Sequence, residues 1–350
     1  MIRKKENGRK AFIEKVGSDE HKYFEQMLEQ MGSEKLASYI PRLGKPFSTC
    51  PKCLYNSKIL YSGYDYHDEK TFEECYDTKV YRHYIKQGKY DHTLSETLAR
   101  ALHDHFITHL LYKMLEHYDE KDIVGVMGGH ARRRDEAGYR QIVFLSKRLT
   151  EMGRLMVTGG GPGAMEAAHL GAWMAGRSEA ETNEAVDMLA PSPTFSDEGW
   201  LRRSFEVMER FPIQTEYRSL AIPTWYYGHE PTAPFATDIA KYFDNSVRED
   251  GIVTIAKGGI IYTPGSAGTM QEIFQDAGQN HYESVGFASP MIFMGKDYYT
   301  NFMPAYTLLK DLSDRGLFKN MMLTISDDND EIIEAIERYR EVKVSSVSNA

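Results

Sequence analysis

Cysteine is scarce, three in 350 residues, and an odd number of thiols makes no disulfide framework. Long hydrophobic runs are lacking too: nothing approaches the roughly 18 apolar residues that would span a bilayer. The start, Met1-Ile2-Arg3-Lys4-Lys5-Glu6, is charged, and no apolar segment follows it, so no secretory signal is visible. These absences point to a cytoplasmic protein with no membrane partner. There is no excess of basic charge either; the formal net charge is −9, which argues against nucleic acid as a partner, since that needs a broad basic face. A small phosphate ligand is not excluded, because it feels only local dipoles and one or two cations. Neither an internal repeat nor a low-complexity segment is evident.

What is present is an ordinary globular composition, 41% hydrophobic and 27% charged, over a length that suits one large domain with an extension. Residues 1–120 read as a mainly helical N-terminal extension, with apolar residues at helical spacing over 21–31 and 95–117. Between them, the tyrosine-rich stretch 55–90 has no clean period and reads as irregular structure around short helices. The texture changes at residue 121. Short apolar runs at 123–127, 155–158, 259–262, 291–294 and 321–325 read as strands, with further strands expected at 185–189 and 220–227. Helical patterns separate them over 136–152, 164–175, 236–247, 269–280, 299–314 and 331–339. Strands alternating with helices predict a Rossmann-like α/β fold, a doubly wound parallel sheet over 121–342, with a frayed tail at 343–350. Ligands in such sheets bind beyond the carboxyl ends of the strands. Gly128-Gly129, the cluster Gly159-Gly160-Gly161-Pro162-Gly163 and the loop from Pro264 all fall at such ends.

The last of these, Pro264-Gly265-Ser266-Ala267-Gly268-Thr269, joins a buried strand to a helix. Two glycines let the backbone turn tightly and approach a ligand, and the free amides of the next helix attract an anion. Thr269 either caps that helix or donates its hydroxyl to a phosphate. Glu272 follows one helical turn later, where it stands beside whatever the loop holds; a capping box with Thr269 fits the same spacing.

Two motifs together resemble the LOG ("lysine decarboxylase-like") family, whose mark is Pro-Gly-Gly-x-Gly-Thr-x-x-Glu. Here Pro264 to Glu272 reads PGSAGTMQE, with Ser266 in place of the second glycine. The family's upstream Gly-Gly-Gly-Pro-Gly-x-Met-Glu is matched by Gly159 to Glu166, GGGPGAME. The resemblance covers residues 122–339. It implies a phosphoribohydrolase that cleaves the N-glycosidic bond of a purine nucleoside 5′-monophosphate to free base and ribose 5-phosphate, and it implies a homodimer. The alternative is a nucleotide-sensing regulator of the same fold that has lost turnover. The family's catalytic arginine lies in Met-His-x-Arg-Lys before the phosphate loop. This chain has Asn245-Ser246-Val247-Arg248-Glu249, so Arg248 takes that role while the Met-His and the Lys are absent. The expected catalytic pair is therefore Glu272 and Arg248. The expected substrate contacts are Gly265, Ser266, Ala267, Gly268, Thr269, Gly128, Gly129, Gly160, Gly161, Gly163, Glu166 and Glu230.

Other features carry less. Gly159-x-Gly161-x-x-Ala164 nominally fits a dinucleotide fingerprint, but Glu179, near the required spacing, does not end an evident second strand, so no cofactor is expected. Tyr226 to Pro231 places aromatic groups and Glu230 where they can meet a ligand, or forms a plain turn. Arg132-Arg133-Arg134 reads as a solvated helix start. Cys50, Cys53 and Cys75, with His67 and His83 nearby, make only a partial zinc pattern, and no metal is expected.

Overall fold

The computed structural model describes residues 45–90, 93–228 and 230–341. The helix expected over 21–31 and the tail 343–350 lie outside the described residues. The centre is a seven-stranded sheet, every pairing parallel, in the order β4-β3-β2-β1-β5-β6-β7. Its strands are β1 (Ile123–Gly128), β2 (Leu155–Thr158), β3 (Ser219–Ala221), β4 (Asp238–Ile239), β5 (Gly259–Thr263), β6 (Pro290–Phe293) and β7 (Met322–Ile325). The chain winds outward from β1 to one edge, returns to pair β5 on the other side of β1, and winds outward again. The order therefore reverses between β1 and β5, and their carboxyl ends open the crevice in which such sheets bind ligands.

The inner strands are buried on both faces, which is why they read as unbroken apolar runs. Alternate residues feed two cores. Ile123, Met127, Ile260, Tyr262, Met291 and Phe293 face one; Val124, Val126, Ile261 and Ile292 face the other. The second core is closed by helices α4 (Ala137–Glu151), α5 (Ala164–Trp173), α6 (Glu179–Leu189), α7 (Trp200–Arg210) and α11 (Asn329–Glu341). The first is closed by α8 (Asn245–Ile255), α9 (Ala267–Tyr282) and α10 (Ala305–Asp314), together with the N-terminal helices α1 (Ser57–Leu60), α2 (Tyr76–Gln87) and α3 (Leu94–Leu115).

The N-terminal helices are stitched to the sheet's β4 edge. Tyr55 exchanges backbone hydrogen bonds of 2.9 and 2.8 Å with Ile239. Asp104 accepts from the Phe243 and Asp244 amides and anchors the entry to α8. Phe47, Tyr55, His103, Trp225 and Phe243 pack ring against ring beneath that edge.

Four elements differ from the expectation. Residues 185–189 end helix α6, which the capping box Ser178–Glu181 starts and which sets Ala185, Val186 and Leu189 into the second core. Helix α7 was not expected; it sets Trp200 and Leu201 on the first core and Val207 on the second. Residues 236–243 are not helical, because Asp238 and Ile239 pair with β3 and Ile239 also bridges Tyr55; the helix begins only at Asn245, after the Asp244 cap. The helix expected over 299–314 is broken by Pro304 into a π-turn, Tyr298–Phe302, and α10. Among the described residues no helix is long and apolar enough to cross a membrane.

Candidate active site

A cleft of about 580 Å³ opens at the carboxyl ends of β1, β2, β3 and β5. Its floor is made by loop backbone. Gly128 has φ +86°, and a Cβ there would lie 2.4 Å from the Thr263 carbonyl, so only glycine fits between β1 and β5. Gly163 has φ +72°, and a Cβ would lie 2.2 Å from the Gly129 carbonyl, which the Ala164 amide bonds at 3.0 Å. These contacts draw the loops after β1 and β2 together beside the cleft.

On the β5 side the cleft meets the start of α9. The helix begins at Ala267; Ser266 stands at its cap position and makes no side-chain capping bond. Ser266, Ala267 and Gly268 are exposed and, with Gly265 and Thr269, line the cleft, so the first-turn amides face it. Tyr298 and Tyr299 hold this loop from below, donating to the Gly265 carbonyl at 2.5 Å and the Thr263 carbonyl at 2.6 Å. Thr269 is the third residue of the helix, not its cap, and is buried between Gly128 and Gly265. A Thr269–Glu272 capping box is therefore excluded, because both residues lie inside the helix.

Glu272 lines the cleft one turn past Thr269 and is half-buried. Burial pushes its carboxyl up to about 7; the neighbouring Arg248 opposes that rise and Glu249 adds to it. Arg248 stands in the first turn of α8, not at a helix C-terminus. Its Nε donates to the Ile222 carbonyl at 3.2 Å, and its guanidinium lies over Gly159, where a Cβ would come within 2.8 Å of Nη2. That places a fixed positive charge between the β2 and β3 loops, in the same cleft as the carboxylate.

On the far side Glu230 pairs with His130 at 2.9 Å. That hydrogen bond raises the His130 pKa against the opposing effect of burial. Deeper in, Lys241 lines the cleft while almost wholly buried, held by Asp77 of α2 and by Thr232.

The cleft thus gathers Glu272, Arg248, Gly265, Ser266, Ala267, Gly268, Thr269, Gly128, Gly129, Gly160, Gly161 and Glu230. It does not include two expected contacts. Gly163 shapes the loop from outside. Glu166 is fully buried on α5, paired with Arg134 and hydrogen-bonded by Tyr139, so its carboxylate is spent on the second core. Arg134, expected in solvent, is likewise buried, against the ring of Trp200. Arg132 and Arg133 pair with Glu136 and Asp135 near the surface. His130 and Lys241 went unrecognised in the sequence. His130 directly follows the first glycine turn, a strand-end position that would have marked it; Lys241 was hidden inside a segment read as helix.

No protein-family model matches the chain, and no curated protein sequence does. Solved structures do resemble it. The molybdenum cofactor binding protein of Rippkaea orientalis matches at 14% identity and a TM-score of 0.37, over 62% of this chain and 96% of that one. The molybdenum cofactor carrier protein of Chlamydomonas reinhardtii matches at 16% identity and a TM-score of 0.36, over the same shares. The assignment to a Rossmann-like α/β fold rests on the seven parallel strands and their order.

Two other motifs can be placed in the structure. Glu179 opens α6 and follows no strand, so the dinucleotide fingerprint lacks its acid. Cys75 is buried against Thr78 while Cys53 is exposed, and no group of three metal-ligating side chains forms among the described residues.

Proposed function

We propose that the cleft hydrolyses the N-glycosidic bond of a nucleoside 5′-monophosphate. The observation that carries this reading is Glu272, a carboxylate one turn behind an anion-binding helix start, sharing its cleft with Arg248. In this reading the phosphate rests on the amides of Gly265 to Thr269, aided by the α9 dipole. The ribose then lies over Glu272. Breaking C1′–N leaves the bonding pair on the base and positive charge on the sugar, as in glycoside hydrolysis. The Glu272 carboxylate stabilises that charge and orients the water whose oxygen bonds to C1′; one water proton ends on the base. Arg248, aimed by the Ile222 carbonyl, supports the departing base or the phosphate.

A panel of nucleoside monophosphates, followed for free base and ribose 5-phosphate, tests the reading. Turnover of at least one is expected, with the matching nucleoside turned over at least a hundredfold more slowly, because the energy of the phosphate contacts is lost. Equal turnover of a nucleotide and its nucleoside would sink the proposal; binding without turnover would make the protein a nucleotide sensor instead.

Thr269→Ala is expected to raise the nucleotide KM several-fold and leave the fold intact. The hydroxyl is lost as a phosphate donor, and the methyl group packed on Gly128 leaves only a small gap. An unchanged KM with unchanged nucleotide affinity would contradict a phosphate role.

A further inference from the structure

Glu249 lines the same cleft as Glu272, and the reaction above gives it no part. The two carboxylates come from the first two turns of α8 and α9, neighbouring helices that both start at the cleft. Gln275, one turn beyond Glu272, donates from Nε2 to Asp250 at 2.5 Å, and Asp250 directly follows Glu249. That bond ties the helices at the level of the two carboxylates. Asn245 Nδ2 donates to Glu249 Oε2 at 2.9 Å and to the Tyr227 hydroxyl at 2.9 Å. An amide orients a carboxylate without neutralising it. Arg248, next in the chain, is turned toward the Ile222 carbonyl and Gly159.

The titratable groups around Glu272 come from four elements. Helix α8 supplies Arg248 and Glu249, β5 supplies Tyr262, the π-turn supplies Tyr299, and Asp276 follows on α9 itself. Burial raises both tyrosines well above their usual range, so neither carries charge near neutrality. Asp276 is turned to Tyr262, whose hydroxyl donates to it at 2.7 Å. Two charges are left to act on Glu272: Arg248 favours its ionised form and Glu249 opposes it.

Resting on the hydrolase reading above, we propose that Glu249 is a positioning residue for catalysis, a fixed negative charge that offsets Arg248 and keeps Glu272 basic. Arg248 alone would hold Glu272 as a weak base. A carboxylate that accepts a hydrogen bond from the attacking water polarises it more as its basicity rises, and it works best with a pKa near the working pH. A like charge in a half-buried cleft is one means of reaching that range. The cost is that Glu272 loses its charge in mild acid. The two carboxylates thus have different parts: Glu272 stands at the reacting atoms, and Glu249 acts through it.

The test reads the ionisation of Glu272 directly and then through activity. Protein labelled with carbon-13 in glutamate alone leaves Asp276 silent, and the Glu272 carboxyl signal is assigned by its loss in Glu272→Gln. In the wild-type protein that signal should titrate at about 7. In Glu249→Gln, which keeps the shape and the Asn245 bond, it should titrate lower by about half a pH unit or more. The acid limb of kcat/KM for the best nucleoside monophosphate should move by the same amount. At pH 6 the variant should then keep about threefold more of its plateau activity than the wild-type protein keeps. Glu249→Asp, which retains the charge, should titrate closer to wild type than Glu249→Gln does. Asp250→Asn removes a charge from the same helix outside the cleft and should move neither measurement. An unmoved Glu272 midpoint in Glu249→Gln, or an equal displacement in Asp250→Asn, overturns the role of Glu249 and leaves the hydrolase reading standing. A displaced midpoint in a protein that turns over no nucleoside monophosphate upholds the charge coupling but overturns the hydrolase reading, and the catalytic purpose of the coupling falls with it.

Discussion

Glu272→Gln is expected to lower turnover by about a hundredfold or more, the scale of losing one preorganised electrostatic partner of a transition state. The substitution keeps the shape of the side chain and removes its negative charge where positive charge develops on the ribose. Nucleotide affinity should change little, because the α9 start and its loop are untouched. The same residue predicts a pH profile. The carboxyl must be ionised to act, and in the free protein burial holds it at about 7. With the carboxylate as the active form, kcat/KM should rise with pH through about 7 and level off above it. Stability should move the other way. A carboxyl whose folded pKa lies above its unfolded value binds more protons when folded, so its contribution is complete below about 4.5 and is lost as pH rises through about 7. Asp276, buried one turn further on α9 and also raised to about 7, adds to the same loss. At pH 8 the Gln variant should therefore melt higher than wild type while turning over far more slowly. A variant with full turnover would show the charge to be dispensable, and a variant that melts lower at pH 8 would show that ionised Glu272 does not weigh on the fold.

The two motif loops were legible because their chemistry is local. A buried strand ending in glycine and leading into a helix has few ways to fold, and β1, β2 and β5 appear where their apolar runs stop. Helix starts were legible to within a residue or two where the apolar stripe was strong, as in α4 and α11. The β4 edge was not legible, since Asp238 and Ile239 are fixed by distant partners: both pair with β3, and Ile239 also bridges Tyr55, more than 180 residues upstream. That long-range pairing shifted the following helix, expected over 236–247, to Asn245–Ile255 and uncovered Lys241. Glu166 misled for a different reason: its place in the glycine motif put it next to the ligand loop in sequence, while the helical turn after Gly163 swings it into the core.

That difference gives Glu166 a test of its own, with the largest expected effect on stability. Its carboxylate is fully buried and takes Arg134 through Nε at 3.0 Å and through Nη2, and Tyr139 through its hydroxyl at 3.1 Å. Arg134 in turn donates to the Trp200 carbonyl at 2.9 Å and to Ser204 at 2.7 Å, tying α5 to α7. Glu166→Gln leaves a buried guanidinium without its counter-charge, and removing one partner of such a pair costs about 3–5 kcal/mol. Denaturation in urea should show that loss as a lower midpoint with an unchanged slope. Replacing both partners, as in Arg134→Met/Glu166→Leu, should recover most of it, since the pair's own desolvation cost disappears with the charges. Activity per folded molecule should stay within a few-fold of wild type in both variants, because neither side chain lines the cleft. A Glu166→Gln protein with wild-type stability that no longer binds nucleotide would return this residue to the ligand site and force the buried ion pair to be read as part of the binding machinery.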